Sequence, residues 1–583
     1  MYAELAACDR FSFNQIAKSE FIQQAMRQKQ MMAHSSDVTI RSKVEKFFKE
    51  AKEDVKQEFA SLKKKKERFV ITFDEWSGVN IKRYLTINVH TSLQNFINLG
   101  MIRVWGSQKA ETLLALVEAR LAEYDLTIDK DIVAMVTDGA SVMLKLGRLA
   151  NCEHVTCLSH TLHLVVADCV YKKKKNNNTP NDGTTTESGS ETDEEFTATD
   201  GPLDEEEDVD EQVDDENGTI PDMTGNDTTN ARLSEADPLL DENDRVVAKA
   251  RKIVNKFRKS PMKHDVLQGI VKQKNDGKCL NLIRDCKTRW SSLFAMLERF
   301  VKLKEPVQDA LDMFNLVDLK LTGDDWEVVD RIIACLGPFK TATEFLCKRD
   351  CNLAQAEAII QFIDENLSQQ NNPLAEKLLE RLRIRYNKRK NIQLLSLVKF
   401  FDDPDTVGKP SASPYYGISS KTTINKLSKS MCNRLDLAHK HEDTVLEEVP
   451  STSASAEPLP TDPAPTVTAP QPIETIQPTM PLAKQLAHRL KAKAIKTGPE
   501  TLTDTFAKEM GLYAASRQET ERIRLIKNAV FIVPPTSVEA ERAFSASGLF
   551  LTKIRSRLSD KTLDILVFLK FYFMYRSNVG NVV

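Results

Sequence analysis

The sequence predicts an α/β core interrupted by a long all-helical section. Three observations carry that reading. Residues 69–171 mix short β-type runs with amphipathic helical stretches. Residues 245–402 return to unbroken helical periodicity. Between them, from about 172 to 244, the chain is rich in Asn, Thr, Asp, Glu and Gly, and such a composition cannot bury enough apolar area to offset its ordering entropy.

The elements follow in order. Residues 1–68 form a polar helical region, in which Ser42–Ser61 sets Val44, Phe47, Phe48, Val55 and Phe59 at helical spacing. The basic run Lys63–Lys66 closes it, as a solvated helix end or a phosphate-contacting or nuclear-import patch. At Phe69 the pattern changes to a strand, FVITFDEW, followed by the turn signal Gly78-Val79-Asn80. Tyr84–His90 and Ile97–Val104 supply two more strands, residues 107–124 a helix, Asp131–Thr137 a buried strand, His154–Cys157 a short strand and Thr161–Val170 a helix. In this order three strands make an antiparallel meander, and a later parallel strand lies beside the first. Residues 403–481 read as a linker rich in Pro, Ser and Thr. The last unit, 482–583, holds helical patterns at 482–495, 517–528 and 537–547, then the apolar run Leu563–Tyr575. That run must bury itself against the α/β core or a second subunit.

Length and charge narrow the class. A chain of 583 residues holds roughly three to six domains at about 100–200 residues each. The net charge is −3, yet the 17 acidic residues of Asn181–Ile220 meet no Lys or Arg, and the rest of the chain stands at +14. Nucleic acid is therefore a candidate partner. No apolar stretch is long enough for a membrane span, and Met1–Gln30 has no secretory apolar core. Ten Cys in this length fit a reducing interior better than a disulfide scaffold.

Two acids stand at strand ends, Asp74 before Trp76 and Asp138 after the 131–137 run. Either alone could simply cap a turn. On neighbouring strands they repel, raise each other's pKa and favour a cation; an oxygen-rich site suits Mg²⁺. A third acid is needed, and Ser537–Ser545 begins a helix carrying Glu539 and Glu541, both also accounted for by the helix dipole. Cys152–His163 reads C-x-H-x-x-C-x-x-H-x-x-H, which permits zinc but fits packing in a strand-to-helix turn better. Arg289-Trp290 opens a helix, and Trp290 is either a core anchor or a stacking platform for an unstacked base.

These pieces resemble the hAT transposase superfamily, especially its members with BED-type zinc fingers, over about residues 40–580. The strongest segment is Ser537–Lys570, with Glu541-Arg542, Phe544-Ser545, Arg555, Arg557 and Leu558 on the family pattern. Asp74 with Trp76, Thr137-Asp138 with Ala140-Ser141 and Met143, Cys157-Leu158-Ser159-His160 and Arg289-Trp290 match further motifs. The resemblance implies a ribonuclease H-like core split by the helical insertion. It implies Asp74, Asp138 and Glu541 as catalytic and metal residues for two Mg²⁺ (or Mn²⁺) ions in DNA strand cleavage and transfer. It also implies DNA contacts from Arg289, Trp290 and His160, a nuclear location, and self-association through the C-terminal region by Phe544, Leu549, Leu563, Leu566 and Phe568. Arg542 and Arg557 make ion pairs or phosphate contacts.

Two departures stand out. The N-terminal region has no Cys-x-x-Cys…His pattern, read as a missing BED finger, and Gly139 and Val142 stand where relatives often carry Asn. Two functions stay open: a metal-dependent DNA transposase, or a domesticated nuclear factor that binds DNA and dimerises without cleavage. A helical scaffold whose acids only cap helices leaves the Ser537–Lys570 match unexplained.

Overall fold

β-Branched and aromatic residues alternate through five strands: β1 (Phe69–Ser77), β2 (Arg83–His90), β3 (Phe96–Val104), β4 (Ile132–Thr137) and β5 (Glu153–Thr156). They make one sheet in the order β3-β2-β1-β4-β5. The β1–β2 and β2–β3 pairs are antiparallel, whereas β4 runs parallel to β1 and β5 parallel to β4. The expected meander with a parallel neighbour on its first strand is thus observed. The structure is a computed structural model and describes residues 1–30, 32–77, 82–106, 108–170, 238–286, 290–407, 419–437, 502–551 and 558–580. The turn at Gly78-Val79-Asn80, Arg289, the helical pattern at 482–495, Arg555 and Arg557 lie outside them.

The chain divides into two compact units. The first comprises Met1–Ser159, Phe345–Gln361 and Tyr386–Val583. Its N-terminal helices are α1 (Tyr2–Ala7), α2 (Phe13–Lys18), α3 (Glu20–Gln28) and α4 (Asp37–Lys64), and α5 (Ala110–Ala122), α6 (Ile128–Asp131) and α7 (Ser141–Leu149) follow the meander. With side chains alternating across a strand, Phe69, Ile71 and Phe73 pack with α4, α5 and the C-terminal helices, while Val70 faces a second apolar cluster with Val133, Ala134 and Val136.

The second unit comprises His160–Glu344 and Phe362–Arg385, and its described secondary-structure elements are all helices. It takes in most of α8 (Leu158–Val170), then α9 (Pro238–Arg258), α10 (Pro261–Lys274), α11 (Trp290–Lys302), α12 (Lys304–Met313), α13 (Gly323–Leu346) and parts of α14 (Leu353–Ser368) and α15 (Pro373–Arg389). α9 starts at Pro238, several residues before the end of the expected acidic stretch, because proline suits a first helical turn. Phe300 stacks on Trp326 at 5.1 Å. Asp325 accepts Arg245 at 2.8 Å and Lys249 at 3.1 Å. Burial opposes its charge, but the Thr322 N–H and these two cations outweigh it and hold the carboxyl at about 2.

The first unit closes with α16 (Ile392–Asp402), α17 (Lys421–Arg434), α18 (Leu502–Ser516), α19 (Glu521–Phe531), α20 (Val538–Gly548) and α21 (Asp560–Gly580). α17 lies inside the segment expected to be a linker. Its Ser420 hydroxyl caps the helix at Thr423 N, and Ile424, Met431 and Cys432 are buried with Val70 and β4. Those few apolar residues at helical spacing are masked, in the sequence, by the Pro- and Ser-rich surroundings. α21 lies on β3 and buries Leu563, Ile565, Leu566, Val567, Phe568 and Leu569.

Candidate active site

β1 and β4 are parallel neighbours, with Thr72 opposite Val136, so the two strands deliver Asp74 and Asp138 to the same end of the sheet. Asp138 is 9% exposed, and its Oδ1 accepts the Ala140 N–H at 3.2 Å. Asp74 is half-buried and accepts the Glu75 N–H at 2.7 Å. Burial first, then the Asp138 charge, pushes the Asp74 carboxyl well above the usual carboxylate range. Asp138 is also raised, by burial and the Glu75 charge, against the Ala140 N–H and the Arg389 guanidinium.

Glu75 and Arg389 are the members that sequence reading passed over. Glu75 pairs with Arg83. Arg389 comes from α15, and its guanidinium occupies the space over Gly139 where a Cβ would stand. Gly139, noted as a departure from the family pattern, thus lets a cation approach the second acid.

Behind the acids runs a buried polar ladder. Thr72 Oγ1 and His90 Nε2 are 3.1 Å apart, and Asn88 Nδ2 donates to Thr72 Oγ1 at 3.3 Å. Asn98 Nδ2 donates to Asn88 Oδ1 at 2.7 Å and Thr86 Oγ1 at 2.9 Å. Thr86 pairs with Asp74 across β1–β2. Burial holds His90 down at about 4, so the ladder is neutral near pH 7.

α20 packs on β1 and β2, and Phe544 stacks on Trp76 at 5.8 Å with 17° between the rings. Glu541 is buried on this helix, and its charge helps burial push the Cys347 thiol up to about 12. Glu539 is also buried and pairs with Arg349 at 2.8 Å and with Arg542. Arg542 therefore makes an ion pair. Among the described residues no group of three or more His, Cys, Asp or Glu is gathered as a metal-holding cluster. The sheet brings two acids together, and Glu541 is not gathered with them into such a cluster. Two adjacent, hard, mutually repelling oxygen donors nevertheless fit a divalent cation such as Mg²⁺.

The Cys/His stretch is used for packing in this unit. His154 Nε2 lies 2.8 Å from Thr137 Oγ1, burial holds its ring at about 4, and Cys157 Sγ accepts the Ser537 N–H at 3.4 Å.

The chain matches the ZBED1 RNase-like helical domain over residues 233–335 and the hAT family C-terminal dimerisation region over 518–573. It is a relative of the hAT-type transposases. A Talaromyces stipitatus protein named as the transcriptional regulator tpeD is 32% identical over 95 residues, 16% of this chain and 11% of that protein. Human zinc finger BED domain-containing protein 4 is 25% identical over 140 residues, 24% of this chain and 12% of that protein. The matched stretches therefore span about a tenth of either relative.

Within the dimerisation region of this hAT relative, Phe544, Leu563, Leu566 and Phe568 are buried in the chain's own core, and Leu549 is half-buried. The matched region suggests self-association, but four of the five residues expected to form it are already covered. In the helical unit Trp290 is 3% exposed, edge-on to Phe339 at 6.3 Å. Within this unit it packs as a core anchor, one of the two readings the sequence offered. His160 is buried in the same unit, its ring 6.2 Å from that of His163. Among the described residues no helix is long and apolar enough to cross a membrane.

Proposed function

We propose that this hAT relative is a DNA transposase that cleaves and transfers phosphodiester strands with divalent metal at the end of β1 and β4. The carrying observation is the Asp74–Asp138 pair, one half-buried and one buried carboxyl that parallel neighbouring strands deliver to the same end of the sheet, each held above the usual carboxylate range. The sheet order, antiparallel over β1–β3 and parallel at β4 and β5, supports reading the core as ribonuclease H-like. Asp74 and Asp138 would hold Mg²⁺ or Mn²⁺, and α20 would contribute Glu541. Bound metal supplies Lewis-acid polarisation of the phosphodiester and activation of a water or 3′-hydroxyl. The chain's own part is to hold both carboxylates with the Glu75 and Ala140 N–H groups, and to keep Arg389 beside Asp138. The relatives' names, a transcriptional regulator and a BED zinc finger protein, support DNA as the partner and the nucleus as the place of action.

The matches to a helical domain and a dimerisation region support a second reading, a DNA-binding, self-associating derivative without cleavage. One experiment separates the two. Purified protein is given Mg²⁺ or Mn²⁺ and duplex DNA carrying the sequences that flank its own gene. Nicking is expected, and Asp74→Asn, Asp138→Asn and Glu541→Gln should each abolish it. Nicking that survives all three substitutions overturns the assignment, and binding without nicking selects the derivative. Calorimetric Mn²⁺ binding, lost on Asp138→Asn, tests the metal site apart from activity.

A further inference from the structure

Trp105 sits one residue past the end of β3 and is 68% exposed. An indole so open is unusual, because tryptophan is highly buried on average. It is not loose. The Arg103 guanidinium lies over its ring at 4.7 Å and over the Tyr84 ring at 5.4 Å. Arg103 is held in turn by the carbonyls of Arg83 at 2.7 Å and Val104 at 2.8 Å. Tyr84 lies 6.3 Å from Trp76, and Trp76 stacks on Phe544. A continuous pile of flat groups thus runs from α20 across the sheet end to the exposed indole. With Arg103 on one face and so much surface still open, the other face of Trp105 meets solvent.

The position matters as much as the ring. Ser77 pairs with Arg83 and Arg83 with Val104, so Trp105 stands at the same end of the sheet as Asp74. At about 3.3 Å per residue and about 4.8 Å per strand, the ring is roughly 13 Å along and about 10 Å across from that carboxylate. A few nucleotides of one strand cover such a span. Lys82, Arg83 and Arg103 surround the platform, against Glu75 and Asp560, leaving cation in excess.

We infer that Trp105 is a stacking platform for an unstacked nucleobase of a DNA strand led past the Asp74–Asp138 pair, with Arg103 stiffening the ring from behind. The inference rests on the reading of that pair as a DNA-processing site. Every base has a π-face, so the contact is tolerant of sequence, while the surrounding cations attract the backbone. It places at Trp105 the role that the sequence had offered to Trp290.

The test uses the full chain with EDTA present, so that cleavage plays no part. The probes are a short fluorescein-labelled oligothymidylate and its duplex with oligoadenylate. Trp105→Ala should weaken single-strand binding about five- to a hundredfold, change duplex binding less than about twofold, and leave thermal stability unchanged. Trp105→Phe should restore most of the loss. Single-strand binding should also quench tryptophan emission more strongly in the parent than in Trp105→Ala, since Trp290 and Trp326 are buried and Trp76 is half-buried with Phe544 stacked on it. Unchanged single-strand affinity overturns the inference, as does an equal loss on both probes. A change in oligomeric state in place of a DNA effect also overturns it and marks a protein contact. Failure of nicking with this pattern intact counts against the cleavage reading alone, and absence of any DNA binding by the parent overturns both.

Discussion

Asp74 and Asp138 show how much of the site lies in single side chains. Both carboxyls titrate above the usual range in the folded chain. The folded state therefore keeps protons that the unfolded chain, with a carboxylate pKa of about 3.9, has released. The stability these groups allow is fully present below that value and is lost as pH rises through the folded values. Asp74→Asn removes the ionising group, so its melting temperature should exceed the parent's at pH 7, with a difference that shrinks as pH falls towards 4. Mn²⁺ should raise the parent's melting temperature at pH 7 and barely move the variant's; a variant less stable than the parent at pH 7 contradicts this account. Asp74 and Asp138 were legible in the sequence because each ends a β-type run. Glu75 and Arg389 were not, since Glu75 looks like any exposed strand-end acid and Arg389 reaches Asp138 from a helix some 250 residues on. Trp105 was not legible for a related reason. The flanking residues place a tryptophan on an element, but only the packing of distant helices decides which ring keeps an open face.

At the scale of elements, the sheet was readable strand by strand and α21 was not readable in its partner. Alternation and β-branched residues marked β1 to β5, whereas an apolar helix shows only that it must be covered. Its cover is β3. Asp564 on α21 accepts the Met101 N–H at 2.8 Å and Arg120 at 2.9 and 3.1 Å. Gly100 holds φ at +86°, and a Cβ there would collide with Asp564 Oδ1. The helix is therefore docked by a half-buried, charge-assisted joint as well as by apolar contact. Truncating Phe568 would leave the fold intact if it made only a dimer contact, and destabilises the fold if it makes a core contact. Phe568→Ala should cost about 3–5 kcal/mol of folding stability, seen as a loss in denaturant midpoint that is the same at every protein concentration. A variant with unchanged monomer stability that merely dissociates on dilution would return Phe568 to the subunit interface. α17 was missed outright because four apolar positions inside a Pro- and Ser-rich stretch give too short a period to stand out.

For the whole molecule, charge is the property that composition conceals. The net charge is −3, yet outside the 17 acids of Asn181–Ile220 the chain stands at +14. A tethered polyanion competes with phosphates for the same cations, and that competition is screened beyond a Debye length of about 8 Å at physiological salt. Binding to duplex DNA should release counterions, so log affinity should fall linearly with log salt. Deleting Asn181–Ile220 should raise duplex affinity most at low salt, steepen the slope because more cations become available to phosphate, and leave the two proteins converging as salt rises. Affinity and slope measured by fluorescence anisotropy across a salt series read both effects. Superimposable lines for parent and deletion would show that the acidic stretch is a spacer that never meets the basic surface. A parallel offset, the same at all salt concentrations, would show that it acts on DNA binding by a route other than charge.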